Sequence, residues 1–460
     1  MADTKKQDGL DRLSGFFQDR FQAGKEICRQ HANTLSLIPN QPPDAVIFAQ
    51  CMSDVILVVS IASEFAIPLV AFGAGTSLEG HVNAPAGGIS IDMSRMNAVT
   101  RVSSPDLDCT VEAGVTQRQL NDHLRDTGLF FPVDPGAGHA TLGGMAATRA
   151  SGTNTVRYGT MSDNVLSLTA VLAGGRVVET GSRARKSAAG YDLTRLLVGS
   201  EGTLGIITQL NLRLHPMPEA IGVAIAAFPT VEAACTAALE AALIGAGIAR
   251  VELADALTLD VVNRYAKLSL AVMPTLFVEW HTPAASAAVS AVAVRETLIS
   301  CGAVSFQTAS EPEERSRLWK ARHDAFWAMC AAWPGKTPVV TDVCVPVSRL
   351  AECIVMTEAD IKNTGIIAPI VGHVGDGNFH AVPMIDASDP HEVVRVHAFL
   401  ERLSARAVAM DGTCSGEHGI GQGKMTALAK QAGCAVDVMR LIKQALDPKG
   451  ILNPGKMFTG

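Results

Sequence analysis

Two histidines, and a carboxylate beside a third, carry the residue types of metal and proton chemistry. The stretch "VGHVGDGNFH" (371–380) sets His373 and His380 on either side of Asp376-Gly377. An Asp-Gly pair favours a type I′ hairpin turn. A turn centred there pairs Gly375 with Asn378, Val374 with Phe379 and His373 with His380. Directly opposed residues have Cβ atoms about 4.5–5.5 Å apart, close enough for one ion to bridge both imidazoles. The same pattern also fits two half-buried structural histidines. In "GTCSGEHGIGQGK" (412–424), Glu417 and His418 lie among Gly416, Gly419, Gly421 and Gly423. A carboxylate there could complete a His₂Glu set with an open position. An adjacent histidine titrates near neutral pH, as a general base must. Far upstream, "AFGAGTSLEGH" (71–81) holds Gly73, Gly75 and Gly80 with Thr76 and Ser77 between them. Such a loop lets backbone N–H groups wrap a phosphate. Its spacing is neither the Rossmann G-x-G-x-x-G nor a Walker loop.

These residues need elements to hold them. "AVIFAQ" reads as a strand, "SDVILVVSIASEFA" as a helix with Ser53 or Asp54 as N-cap, and "IPLVAF" as a second strand, a βαβ unit that delivers the glycine loop. "HVNAPAGGISIDMS" follows, rich in helix breakers. Two more segments, "FPVDPGAGHATLGGMAATRASGTNTVRYGT" (131–160) and "VGSEGTLGIITQLNLRLHP" (198–216), are rich in small residues that let a backbone approach a large flat ligand. The second of them ends in an alternating strand. Beyond a boundary near 214–220 the pattern runs strand, helix, strand, then "TLFVEWH", a helix from "AASAAV" and the strand "VSFQTA". That alternation suggests a split βαβ, α+β cap. Residues 311–333, charged and then apolar, read as one helix. The resulting division is an N-terminal helical arm (1–42), a cofactor domain (43–216), a cap (217–446) and a tail (447–460).

Length and composition bound the function. A chain of 460 residues exceeds one ordinary core. With 48% hydrophobic and 18% charged residues it is a folded globule and not a disordered scaffold. A net charge of −7 offers no basic footprint for nucleic acid. Ten scattered cysteines without a C-x-x-C pair read as free thiols of a reducing compartment. No secretory h-region opens the sequence and no apolar run reaches membrane-spanning length. A soluble cytoplasmic protein is expected, with a mitochondrial one the alternative if a transit peptide has been removed.

The motifs together resemble the FAD-dependent D-2-hydroxyacid dehydrogenases of the vanillyl-alcohol-oxidase (PCMH-type) flavoprotein superfamily, in the branch of the cytochrome-type D-lactate dehydrogenases. Besides the stretches above, "LWKARHDAFWA", "TDVCVP" and "LDPKGILNPGK" carry the likeness, in order, from about residue 40 onward. The resemblance implies an α+β fold: a two-subdomain PCMH-type FAD-binding domain, a ferredoxin-like substrate cap and a helical C-terminal segment. It implies dissociable FAD held by Gly73, Ala74, Gly75, Thr76 and Ser77 at the pyrophosphate. Pro135, Thr141, Gly143, Gly144, Ala147 and Ser151 line the flavin, Glu201, Gly205 and Ile207 the adenosine end, and Asn453 returns from the tail. It further implies zinc or manganese on His373, His380 and Glu417, and Arg322 gripping the substrate carboxylate by its two-pronged guanidinium. His418 would take the hydroxyl proton as hydride passes from Cα to flavin N5. A cytochrome, quinone or electron-transfer flavoprotein would take the electrons onward. Relatives acting on D-2-hydroxyglutarate have lysine where this chain has Val340, so a short apolar hydroxy acid is expected. Glycolate or D-2-hydroxyglutarate oxidation, a flavin-free metallohydrolase and a non-catalytic subunit are the rival readings.

Overall fold

The computed structural model describes residues 2–309 and 311–458. The chain forms two compact units. The first takes the residues up to Ser151, Gly159–Met217 and those from Glu417 onward, and the second takes Gly152–Tyr158 and Pro218–Gly416.

Unit one contains a four-stranded sheet in the order Phe21–Gln22, Ala45–Phe48, Ile89–Asp92, Leu69–Phe72. The last three strands are parallel. The expected strands Ala45–Phe48 and Leu69–Phe72 are present with the helix Met52–Phe65 between them, but they are not neighbours. Ile89–Asp92, from the segment rich in helix breakers, lies between them and is buried along its whole length. Gly87 and Gly88, at φ +63° and +89°, turn the chain into that strand. A Cβ on Gly88 would stand 2.1 Å from the Pro68 carbonyl oxygen. The helix is capped differently from the expectation. Cys51 is the N-cap, and Asp54 sits three residues in, where its carboxylate accepts from the Gln50 amide at 2.9 Å and pairs with Arg20. An acidic group in a first helical turn suits the exposed backbone N–H groups there.

A second, antiparallel sheet runs Val99–Ser103, Asp108–Glu112, Ile206–Arg213, Val165–Val171, Val177–Glu179. Ile206–Arg213 alternates buried and half-buried residues over its second half, as its sequence alternates. Val171 and Ile206 share one apolar cluster with Leu69, Ile89 and Ile91 of the first sheet, so the two sheets are packed as one core. The C-terminal segment joins this core: the Leu69 amide bonds the Ile451 carbonyl and the Asn453 amide bonds the Leu69 carbonyl, both at 2.7 Å.

Unit two is built on a seven-stranded sheet. Its first four strands, in the order Ser305–Ala309, Ala220–Ala227, Thr275–Thr282, Ile248–Ala254, are antiparallel and are joined through Val231–Leu243 and Ala287–Ser300 among other helices. This is the split βαβ order, with an added helix Ala256–Ala266 before the third strand in sequence. Ile370–Gly372, Asn378–Ala381 and Val343–Cys344 extend the sheet beyond Ile248–Ala254. Residues 311–333 form two helices instead of one, Pro312–His323 and Ala325–Ala332. The break is at Asp324, where ψ opens to −8°. A short carboxylate competes with the helix for local partners, and this one bonds Lys320 Nζ at 2.5 Å.

Candidate active site

Unit one holds a cleft of about 1260 Å³, its solvent-open mouth included. Gly73, Ala74, Gly75, Thr76 and Ser77 line it, with Pro135, Thr141, Gly143, Gly144, Ala147, Ser151, Glu201, Gly205, Ile207 and Asn453. Glycine is required at several of these positions. Gly75 has φ +65°, and a Cβ there would lie 2.8 Å from the Phe72 ring. A Cβ on Gly73 would lie 2.1 Å from Thr141 Oγ1, and one on Gly143 2.6 Å from Ala113 Cβ. Thr141 is itself the N-cap of Leu142–Thr148, accepting from the Gly144 amide. The loop and the helix therefore meet at the Thr141 side chain, which a Cβ on Gly73 would strike. Ser77 Oγ is buried and has no hydrogen-bond partner among the described residues. A bound phosphate oxygen would supply the missing acceptor. Glycine backbone, an orphaned hydroxyl and a long wall of small residues fit an FAD.

Glu201 and His81 were expected only in part. The Glu201 carboxylate accepts from the amides of Ile420 (2.7 Å) and Gly421 (2.8 Å), with His81 Nε2 at 3.2 Å. Burial pushes this carboxyl up, but His81 and the two backbone donors outweigh burial and hold it below the usual range. Its side chain thus anchors the segment just after His418. Asn453 binds from behind, donating to the carbonyls of His81 (3.2 Å) and Glu201 (2.7 Å). Glu417 and His418 line the same cleft as the glycine loop. Ser151 Oγ donates to Glu417 Oε2 at 3.2 Å, and His418 Nε2 lies 3.9 Å from Glu417 Oε1.

In unit two the rings of His373 and His380 meet edge to face, their centroids 5.4 Å apart. The pairing that brings them together is not the expected one. Val371, not His373, stands opposite His380. The type I′ turn does not form, because Asp376 is not among the positive-φ residues. Its carboxylate instead accepts from the Asn378 amide at 3.2 Å, and Gly377 alone takes positive φ, +89°. The loop lengthens and the pairing slips by two residues. Side chains alternate with period two, so a slip of two leaves both histidines on one face. His380 Nδ1 is 2.7 Å from the Thr341 carbonyl oxygen and His373 Nδ1 is 2.6 Å from Glu252 Oε1. A carbonyl and a carboxylate only accept, so both protons sit on Nδ1 and both lone pairs on Nε2. Imidazoles fixed in this way have the donor chemistry that suits a divalent metal.

Arg322, near the end of Pro312–His323, directs Nε (2.9 Å) and Nη2 (2.8 Å) at Glu252 Oε2. The Nε side of the guanidinium is thus occupied by the protein. Glu252 is the residue the sequence reading missed. Its signal was present: "RVELA" places Arg250 and Glu252 on one face of a strand whose other residues are apolar.

Comparison with known proteins accounts for both units. Residues 43–181 match the FAD binding domain and 217–457 match the FAD linked oxidases, C-terminal domain. The chain belongs to the FAD-linked oxidases. "Probable D-lactate dehydrogenase, mitochondrial" of Danio rerio is 48% identical to this FAD-linked oxidase over 95% of the chain and 88% of the relative. "D-lactate dehydrogenase [cytochrome], mitochondrial" of Arabidopsis thaliana is 44% identical over 97% and 78%. Among solved structures, p-cresol methylhydroxylase with substrate bound shares the fold at a TM-score of 0.83 and 17% identity, over 99% of this chain and 97% of that one. The protein is thus an FAD-dependent oxidoreductase with a PCMH-type fold. No helix among the described residues is long and apolar enough to cross a membrane.

Proposed function

We propose that this flavoenzyme oxidises D-lactate, or a similarly short D-2-hydroxy monocarboxylate, to the 2-oxo acid and passes the electrons to a cytochrome. The observation that carries the reading is His418 in the wall of the cleft whose glycine loop fits FAD. A proton acceptor in that wall would stand beside bound FAD. The names of the relatives support D-lactate as substrate, a cytochrome as acceptor and a mitochondrial setting. FAD, when bound, supplies a two-electron acceptor for hydride, and a divalent ion supplies positive charge toward the substrate hydroxyl. His373 and His380 would be the ion's imidazole ligands, and the resemblance adds Glu417 as its carboxylate. Neutral His418 takes the hydroxyl proton while the Cα hydrogen leaves with its electron pair, so the C–O single bond becomes a carbonyl. Arg322 orients the substrate carboxylate through the N–H groups not given to Glu252.

Val340 sets the size and charge limit. It is a half-buried apolar side chain packed on the cluster that contains Trp319 and Met329. Its apolar side chain offers a distal carboxylate no charge partner, and burying an unpaired charge is costly. The test is anaerobic bleaching of the flavin's visible band by D-lactate, D-2-hydroxybutyrate and D-2-hydroxyglutarate. Rapid bleaching by the first two supports the reading, and Val340→Lys should shift preference toward the third. No bleaching by any D-2-hydroxy acid, or a parent preference for the dicarboxylate, would overturn it.

A further inference from the structure

Glu252 lies in Ile248–Ala254 and is 0% exposed. Each of its carboxylate oxygens serves a different functional residue: Oε1 is 2.6 Å from His373 Nδ1, and Oε2 receives Arg322 Nε and Nη2. We infer that Glu252 is the positioning residue of unit two, holding His373 as a metal ligand and Arg322 as a carboxylate clamp through one shared anchor. The inference rests on the metal reading above and deepens it.

A carboxylate wholly removed from water is costly unless its charge is paired and its lone pairs are bonded. Arg322 alone would answer the charge. The second oxygen is nonetheless directed at a histidine, which it fixes with the proton on Nδ1 and the lone pair on Nε2. Carboxylate partners of this kind raise the basicity of a ligating imidazole. His380 Nδ1 instead meets the neutral Thr341 carbonyl, so the carboxylate partner belongs to His373. The other charged residues of this sheet are engaged elsewhere: Arg250 bonds Asn154 and pairs with Glu279, and Glu279 bonds His281. On the arginine, Nε and one side of Nη2 are spent on Glu252. The end of the guanidinium, Nη1 and the outer Nη2 hydrogen, is what a substrate carboxylate would meet. Ion and substrate affinity should therefore fail together when the anchor is changed.

The test uses the FAD-loaded protein with Glu252→Gln. A neutral amide cannot accept from both His373 and Arg322, since one of its two ends is a donor. Equilibrium dialysis against Zn²⁺ and Mn²⁺ should show affinity reduced about 10–100-fold. KM for D-lactate should rise, and the FAD-to-protein ratio should not change. Glu252→Asp, which keeps the charge but withdraws it by one methylene, should show a smaller loss of both affinities and covers the case in which the glutamine variant does not fold. Parental ion affinity and KM in the folded variants would overturn the inference. His380→Ala separates the two levels. If it loses the ion while Glu252→Gln keeps it, the metal reading stands and the anchor falls. If the parent itself retains neither ion, both fall.

Discussion

His418 and Lys456 show what single side chains contribute in unit one. In the proposed role of base, His418 would work only when neutral, and positioned proton transfer is worth about 10²–10⁴-fold. His418→Asn should slow flavin reduction by that factor with little change in substrate affinity; stopped-flow reduction at the parental rate would assign the proton to another group. Lys456 is 3% exposed, and its ammonium donates to the carbonyl oxygens of Asn83 (2.7 Å) and Pro454 (3.4 Å) and to Asn453 Oδ1 (3.2 Å). Burial pushes it down to about 8, against the pull of Glu201. The unfolded chain then binds more protons than the folded one between about pH 8 and 10.5. Stability is therefore gained as pH rises through that window and is lost again as pH falls through 8. The gap in stability between parent and Lys456→Met should move in the parent's favour by up to about 3 kcal/mol across it, measured as paired denaturation curves. A gap that does not vary with pH would show that Lys456 is already solvated. The residues that were legible in sequence were those with a chemical reason for their type: the cradle glycines, His373, His380, Glu417 and His418. Lys456 was not, and Glu252 showed only as a charge in an apolar strand, because the partners that give each its meaning lie elsewhere in the chain.

The elements themselves were legible where their signal is local. The helix Met52–Phe65, the strands flanking it and the alternation of Ile206–Arg213 follow from periodicity. Strand order does not. Nothing in "GISIDMS" announces that Ile89–Asp92 will separate Ala45–Phe48 from Leu69–Phe72, because insertion into a sheet is decided by both neighbours. The hairpin register failed for a related reason: the Asp-Gly preference competes with the Asp376 side chain, which closes its own turn on Asn378. At the glycine loop two elements share one space, and this gives a coupled prediction. Gly73→Ala should displace Thr141 from its capping position, at a cost of about 1 kcal/mol for the cap alone, and FAD should be lost from the purified protein. Adding Thr141→Ala removes the colliding Oγ1, so the double variant should retain more FAD than Gly73→Ala does. Additive losses would mean that the two residues do not compete for that space.

Across the molecule, neither unit is a continuous stretch of chain. Gly152–Tyr158 leaves the first unit's sequence to sit in the second, where Tyr158 Oη is 2.7 Å from His281 Nδ1. The first unit in turn takes back the residues from Glu417 onward. A chain ended at Leu446 should therefore lose FAD: it lacks Asn453 in the cleft wall and the Ile451–Asn453 bonds to Leu69. Stoichiometric FAD in that truncated protein would show the tail to be dispensable. The same arrangement has a consequence in time. Asn453 emerges from the ribosome 246 residues after Ile207, which is roughly 10–50 s of synthesis at 5–20 residues per second. For that interval the first-made sheets, with Leu69 still unpaired to the tail, wait while the whole of the second unit is translated. FAD capture is then an event of the finished polypeptide, and nascent chains arrested before Asn453 should carry none.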